Sequence, residues 1–168
     1  MCKSKKDALK SIQLIKEIMR RLELELNPEK SKLVNIWDNK EGFDFLGFHN
    51  RKFPVRNKGG SEVYVLNHIP SKKAMKKMRK KIKEYTEPRN KLYWDMEDMI
   101  KGLNRKLRGF KNYYLITPIA KKWLNRIDWY VLERLNLFWN KKKNRRLRHA
   151  RIKEVIDITS EKLLKLAG

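Results

Sequence analysis

The chain has 168 residues, of which 40% are hydrophobic and 37% charged, and Lys plus Arg outnumber Asp plus Glu by 43 to 19, a formal net charge of +24. That length suggests one domain or two small ones, and that apolar content excludes a disordered polycation. Charge so one-sided, with a sequence pI of about 10.2, favours nucleic acid over a small acidic substrate or a membrane surface. No apolar run approaches the roughly 20 residues that span a bilayer. Cys2 is the single cysteine, which excludes an internal disulfide and any cysteine-cluster zinc site. His49, His68 and His149 are scattered, so neither a metal nor another cofactor is assigned to this chain. The segment Met1-Cys2-Lys3-Ser4-Lys5-Lys6 leads into an amphipathic pattern and not the apolar core of a signal peptide. A reducing, cytoplasmic setting is the expectation.

In chain order, residues 4–26 read as a helix. Ser4 and Asp7 have the spacing of a capping box, with Asp in the place of the usual Glu. Ala8, Ile12, Ile15, Met19 and Leu22 follow at helical spacing, and Asn27-Pro28 is the expected stop, because Pro disfavours helix at the residue before it. The expected role is a helix packed on a sheet. Residues 32–37 read as a strand, residues 38–42 as a turn, and residues 43–48 as a second strand with Phe43 and Phe45 on one face and Leu46 and Phe48 on the other. Gly47 inside that strand marks a bulge or a close backbone approach. A further hairpin is expected over residues 51–66, turning at Asn57-Lys58-Gly59-Gly60, with Pro54 making its first strand an edge or bulged one.

Near Ile69 the period changes from two to 3.6. Lys72, Lys73, Lys76, Lys77, Arg79, Lys80, Lys81 and Lys83 surround a stripe of Met75, Met78, Ile82 and Tyr85, which predicts a helix over 71–86 with one narrow buried face. A polar connection containing Pro88 leads to Asp95, the expected cap of a helix over 95–110, with Asp98 three residues on. Its stripe is Met96, Met99, Ile100, Leu103, Leu107 and Phe110, and its wet side carries Lys101, Arg105, Lys106 and Arg108. Thr117-Pro118 opens a third helix over 118–140, striped by Ile119, Trp123, Ile127, Val131, Leu135 and Phe138. Residues 140–151 then hold Lys141, Lys142, Lys143, Arg145, Arg146, Arg148 and Arg151 without an acidic residue. Ser160 is the expected cap of a short last helix through Ala167. The fold class is α+β: an N-terminal helix and β-hairpins over 1–69, an antiparallel three-helix bundle over 70–152, and a tail over 153–168. Open strand edges make the first 69 residues the less stable part.

Several of these segments in this order resemble one family. A helix, then Leu24-Glu25-Leu26-Asn27-Pro28-Glu29-Lys30-Ser31-Lys32, then Gly42-Phe43-Asp44-Phe45-Leu46-Gly47-Phe48 is similar to the end of the palm in group II intron reverse transcriptases. Ser71-Lys72-Lys73 and Arg108-Gly109-Phe110-Lys111-Asn112-Tyr113-Tyr114 are similar to elements of that family's thumb, the maturase-specific domain X. The resemblance implies that Phe45, Leu46, Gly47 and Phe48 belong to a primer grip and that the partner is structured intron RNA or a template-primer duplex. It also implies a Tyr-x-Asp-Asp metal motif upstream of the first helix. No adjacent Asp-Asp pair occurs in this sequence, and Asp44, Asp95, Asp98, Asp128 and Asp157 are dispersed. Two-metal phosphoryl transfer needs carboxylates holding two cations about 4 Å apart, so no catalytic residue is assigned and divalent metal is expected only in a complete polymerase. The chain is read as the C-terminal portion of such a protein, from a truncated gene, a split subunit or an excised piece; the alternatives are a subunit of a split RNA-directed DNA polymerase whose Asp-Asp motif is on another chain, and an unrelated basic nucleic-acid-binding helical protein. An upstream palm and fingers chain is the second expected partner.

The residues expected at RNA are Lys72, Lys73, Lys76, Lys77, Arg79, Lys80, Lys83, Arg105, Arg108, Lys111, Asn112, Lys141, Lys142, Lys143, Arg145, Arg146 and Arg148. One-signed charge on helix faces suits a phosphate surface read by shape. The bland alternatives are a solvated face for residues 72–83, a basic tail for 141–151, a core strand for Phe45 to Phe48, and a core pair for Tyr113 and Tyr114, where stacking on an unpaired base is the sharper reading. Trp94, Trp123, Trp129 and Trp139 are read as packing residues.

Overall fold

A computed structural model describes residues 2–29, 31–36, 41–146 and 151–168. The fold is α+β, as the periodicity indicates. Helix α1 (Lys5–Arg21) precedes a three-stranded antiparallel sheet of β1 (Gly42–Phe45), β2 (Phe48–Arg56) and β3 (Glu62–Pro70) in the order β1-β2-β3. Helices α2 (Lys72–Thr86), α3 (Met96–Tyr114), α4 (Lys121–Lys142) and α5 (Ile152–Thr159) follow.

Ser4 caps α1 as its spacing indicates: its Oγ accepts from the Asp7 N–H at 3.1 Å and donates to the Asp7 carboxylate at 2.7 Å. The helix stops at Arg21 and not at Asn27-Pro28, because Glu23 turns to a φ of +57°. No residue of α1 is buried, and Ala8, Ile12 and Met19 of its stripe are only half-buried, so the expected packing on a sheet is loose among the described residues. The helix faces residues 33–36 and Phe43 across an open space of about 700 Å³.

The expected strand over 32–37 is not formed: residues 31–36 have no regular structure, while Trp37 and residues 38–40 of the expected turn lie outside the described residues. The expected strand over 43–48 is corrected as well. Phe45-Leu46-Gly47-Phe48 is a two-residue hairpin turn in which Leu46 and Gly47 both have positive φ, +47° and +84°. Positive φ at both positions matches the right-handed twist of the flanking strands. Glycine adopts it freely, whereas leucine meets a clash between Cβ and the backbone that costs about 1–2 kcal/mol. Leu46 therefore lies in the turn and not on a strand face. Two hairpins share β2 in place of four separate strands, and the second turns at Asn57, whose Oδ1 accepts from the Ser61 N–H at 2.9 Å. Pro54 sits where β2 has outrun β1, since the β1 pairing ends at Arg51; that side needs no donor.

The apolar core lies in the helical half. Met75, Met78 and Ile82 of α2 meet Met99, Ile100, Leu103 and Leu107 of α3 and Leu124, Ile127, Val131, Leu135 and Phe138 of α4, with Val155 and Leu166 closing the far side. Arg134 of α4 donates to the Thr86 hydroxyl at 3.0 Å and Thr86 to the Ile82 carbonyl at 2.9 Å, fixing the end of α2. Thr117 does not cap a helix directly: Pro118–Ala120 forms one 3-10 turn before α4, and the Thr117 hydroxyl donates to the His68 carbonyl at 3.2 Å. The last helix is also displaced. Ser160 follows α5 instead of opening a helix, and donates to the Asp157 carbonyl at 3.0 Å. Ile152, Val155, Ile156 and Thr159 form the i, i+3, i+4, i+7 stripe that sets α5 earlier. The tail beyond it is held by side chains, with the Asp128 carboxylate accepting from the Leu166 and Ala167 N–H groups at 2.9 to 3.0 Å.

The sheet is tied to the helices at one end. Phe48 stacks on Tyr113 with ring centroids 5.1 Å apart, and Phe53 meets Trp123 edge-on at 5.8 Å. The Ser71 N–H donates to the Gly47 carbonyl at 2.9 Å. A Cβ on Gly47 would lie 2.6 Å from the Tyr114 hydroxyl. The close approach expected at Gly47 is therefore made, by a side chain of α3.

Candidate nucleic-acid interface

Helix α2 follows from its first residues. Ser71 Oγ accepts from the Ala74 N–H at 3.2 Å, and Met75, Met78 and Ile82 bury the stripe. The remaining faces expose Lys72, Lys73, Lys76, Lys77, Lys80, Lys81 and Lys83, while Arg79 is half-buried. Lys80 and Lys83 are partnered, with Glu84 and Glu87 each at 3.7 Å one turn on. Exposed pairs of this kind contribute little stability and leave most of the field standing. Among the described residues, Lys72, Lys73, Lys76, Lys77 and Lys81 make no ion pair with a carboxylate.

Where α2 crosses α3 the two helices leave a groove of about 600 Å³. Lys77 and Lys81 line it from α2, Lys106 from α3, and Lys91 from the connection between them, over a floor of Tyr85, Phe110, Tyr113 and Tyr114. Glu84 is its one carboxylate. Gly102 makes the crossing feasible, since a Cβ there would meet the Tyr85 hydroxyl at 1.8 Å. The Tyr85 ring carries the Lys91 ammonium 3.8 Å from its centroid and that of Lys106 at 5.2 Å. Lys91 also donates to the Tyr85 carbonyl at 2.9 Å. Burial, then the neighbouring Lys106, hold the Lys91 ammonium below the usual lysine pKa. Burial pushes the Tyr85 phenol up, against the pull of Arg105. Several cations around an aromatic floor, with a single carboxylate among them, concentrate positive potential in the groove.

The other expected RNA contacts divide by what they already hold. Arg105, Arg108 and Asn112 are exposed on α3. Lys111 donates to the Lys165 and Gly168 carbonyls at 2.8 and 2.9 Å, holding the tail. Lys142 is only 25% exposed and donates to the Leu92, Tyr93 and Trp94 carbonyls at 3.2, 3.3 and 2.7 Å. It also stands 3.6 Å from Asp95, whose side chain does not cap α3 as expected. Lys143 and Arg145 converge on Glu154 at 2.9 and 3.2 Å, and the Trp139 indole donates to the same carboxylate at 2.9 Å. That indole bond, then Lys143, drop the Glu154 pKa to about 2. Lys141 and Arg146 remain exposed, and Arg148 lies outside the described residues. The expected basic segment over 141–151 is thus partly built into the fold.

Sequence reasoning placed Lys80 and Lys83 in the site and passed over Lys81, Lys91 and Lys106. The i, i+4 spacing of Lys77, Lys81 and Tyr85 was the available signal for a ridge facing α3. Lys91 sits in a loop and had no periodic signal. At the hairpin tip, Phe45 is 62% exposed and Leu46 70%, so neither belongs to a core strand, while Gly47 and Phe48 dock on α3. Tyr113 donates from its hydroxyl to the Leu46 carbonyl at 2.8 Å. Trp94, Trp123 and Trp139 are packing residues as expected, whereas Trp129 is exposed. No helix among the described residues is long and apolar enough to cross a membrane.

Residues 75–155 match the family model of the group II intron maturase-specific domain. The matched segment begins one turn into α2 and ends within α5, so it takes in the groove and the core beneath it. No curated protein and no solved structure matches the chain.

Proposed function

We propose that this chain is the RNA-binding C-terminal portion of a group II intron reverse transcriptase and maturase, docking intron RNA or a template-primer duplex on α2, α3 and the groove between them to support splicing or reverse transcription. Residues 1–69 act as a palm remnant, residues 70–152 as the thumb, and residues 153–168 as a tail that braces it. The observation that carries this reading is the coincidence of the maturase-specific match with Lys76, Lys77 and Lys81 of α2, which no carboxylate among the described residues neutralises. Double-stranded RNA presents phosphates and 2′-hydroxyls to such a surface, without a base-edge code. Filter binding of a structured intron RNA across a salt series tests it. Affinity falls steeply with salt, and Lys72→Ala, Lys73→Ala and Lys76→Ala each flatten the logarithmic slope by about 0.9 for every phosphate contact removed. An affinity that stays flat from low to moderate salt defeats the reading.

The exposed Phe45 and Leu46 at the hairpin tip favour a second reading, in which the chain is one subunit of a split RNA-directed DNA polymerase and this tip steadies a primer. An upstream chain would then supply the Asp-Asp motif and its metals. Primer extension by this chain alone is expected to be nil and to appear on mixing with such a chain; extension without it contradicts both readings.

A further inference from the structure

Tyr113 and Tyr114 are neighbours in sequence with opposite fates. Tyr114 is 8% exposed and belongs to the core, whereas Tyr113 is 48% exposed and lines the groove. Tyr113 is nevertheless held from two sides. Its hydroxyl is bonded to the Leu46 carbonyl, and its ring stacks on Phe48 at an interplanar angle of 28°. A ring fixed in place yet half open has already lost the freedom that binding would otherwise cost, which suits it to stack with a flat partner. One helical turn earlier, Gly109 leaves the groove open: a Cβ built there meets nothing within 4 Å. Lys77, Lys81 and Lys106 line the same opening, and its one carboxylate, Glu84, faces Lys80. A space of about 600 Å³ is of small-ligand size, too small for a duplex, whose base faces are in any case occupied by each other.

We propose that this groove takes one unpaired nucleotide of the bound RNA, its base stacked on Tyr113 and its flanking phosphates held by Lys77, Lys81 and Lys106. The inference rests on the RNA-binding reading and adds where an unpaired base goes. Recognition is by the face of the base, so any of the four bases is accepted.

The test compares two RNA hairpins closed by a baseless linker in place of a nucleotide loop, one fully paired and the other differing only by a single bulged nucleotide, by anisotropy titration of the full chain at fixed salt. The bulged hairpin binds about tenfold more tightly, the scale of one base–aromatic stack. Tyr113→Leu removes the difference and Tyr113→Phe keeps it. Gly109→Leu fills the opening from a helical position that favours Leu over Gly, so it stays folded and also removes the difference, even should Tyr113→Leu fail to fold. Equal affinity of the native chain for the two hairpins, or a preference that survives Gly109→Leu, overturns the inference while RNA binding stands. Binding of neither hairpin overturns the RNA-binding reading and the inference with it.

Discussion

Helices α1 and α2 carry the same kind of apolar stripe, yet on the first Ala8, Ile12 and Met19 are only half-buried and Ile15 is exposed, as is Leu22 just past its end, while Met75, Met78 and Ile82 of α2 are sealed under α3 and α4. Amphipathic spacing states that a face can be buried; it does not supply the surface that buries it. The helical half brings three further helices to its stripes. The N-terminal half brings a three-stranded sheet that docks by one end through Phe48 and Phe53, and α1 gains no buried residue from it.

The sharpest break of this contrast is a pair of truncations. Leu103→Ala, at a fully buried position, is expected to cost about 2–5 kcal/mol through lost contacts and the cavity left behind. Leu14→Ala, at an exposed position of α1, is expected to stay within about 0.5 kcal/mol. Urea unfolding of both variants measures the gap, and equal effects would mean that α1 is packed as tightly as α3.

Asp128→Ala probes how the tail joins the core. It leaves the Leu166 and Ala167 N–H groups without their acceptor, at an expected cost of about 1–3 kcal/mol in the same assay. A smaller loss would show that the tail adds nothing to the helical half.

Two glycines of α3 then separate close packing from open groove. Gly102→Ala pushes its new methyl group into Tyr85 and is expected to destabilise by about 1–2 kcal/mol despite the better helix propensity of Ala. Gly109→Ala meets nothing and is expected to stabilise by up to about 1 kcal/mol. Thermal melts with opposite signs confirm the distinction; two gains would show that Tyr85 yields freely.

The smallest effect concerns acid. Glu154 has a folded pKa of about 2 against an ordinary 4.5. Its contribution is therefore present above about pH 4.5 and fades as pH falls toward 2. Glu154→Gln lowers the urea midpoint at neutral pH, and its deficit against the native chain shrinks through that window. A deficit that stays constant there would show that the carboxylate charge is not what joins α5 to α4.

Much of the helical half was legible because its local signals agree with one another. Ser71, the Met75–Met78–Ile82 stripe and the polar break after Thr86 all point to α2, and the structure places it at Lys72–Thr86. Helix α3 runs a turn past its expected end because Tyr114 still finds core to fill. Elsewhere a contact distant in sequence outweighed the local pattern. Leu46 is no turn signal, so the hairpin tip read as strand; Tyr113 and the Ser71 N–H hold it there from outside. Ser160 looked like a cap, but the stripe from Ile152 to Thr159 had first claim on α4. The candidate site was legible as a charge excess on α2 and not as a groove, since Lys91 and Lys106 reach it only through the crossing at Gly102.

The Lys142 ammonium, set against the carbonyls of residues 92–94, bears on the order of assembly. That contact spans 48 residues between Trp94 and Lys142, so the loop joining α2 to α3 cannot be locked until the far end of α4 exists. Closures across such separations come after local helix formation in folding. Residues 92–94, which flank one wall of the groove, are accordingly expected to lock late, once the chain has already wound its rods.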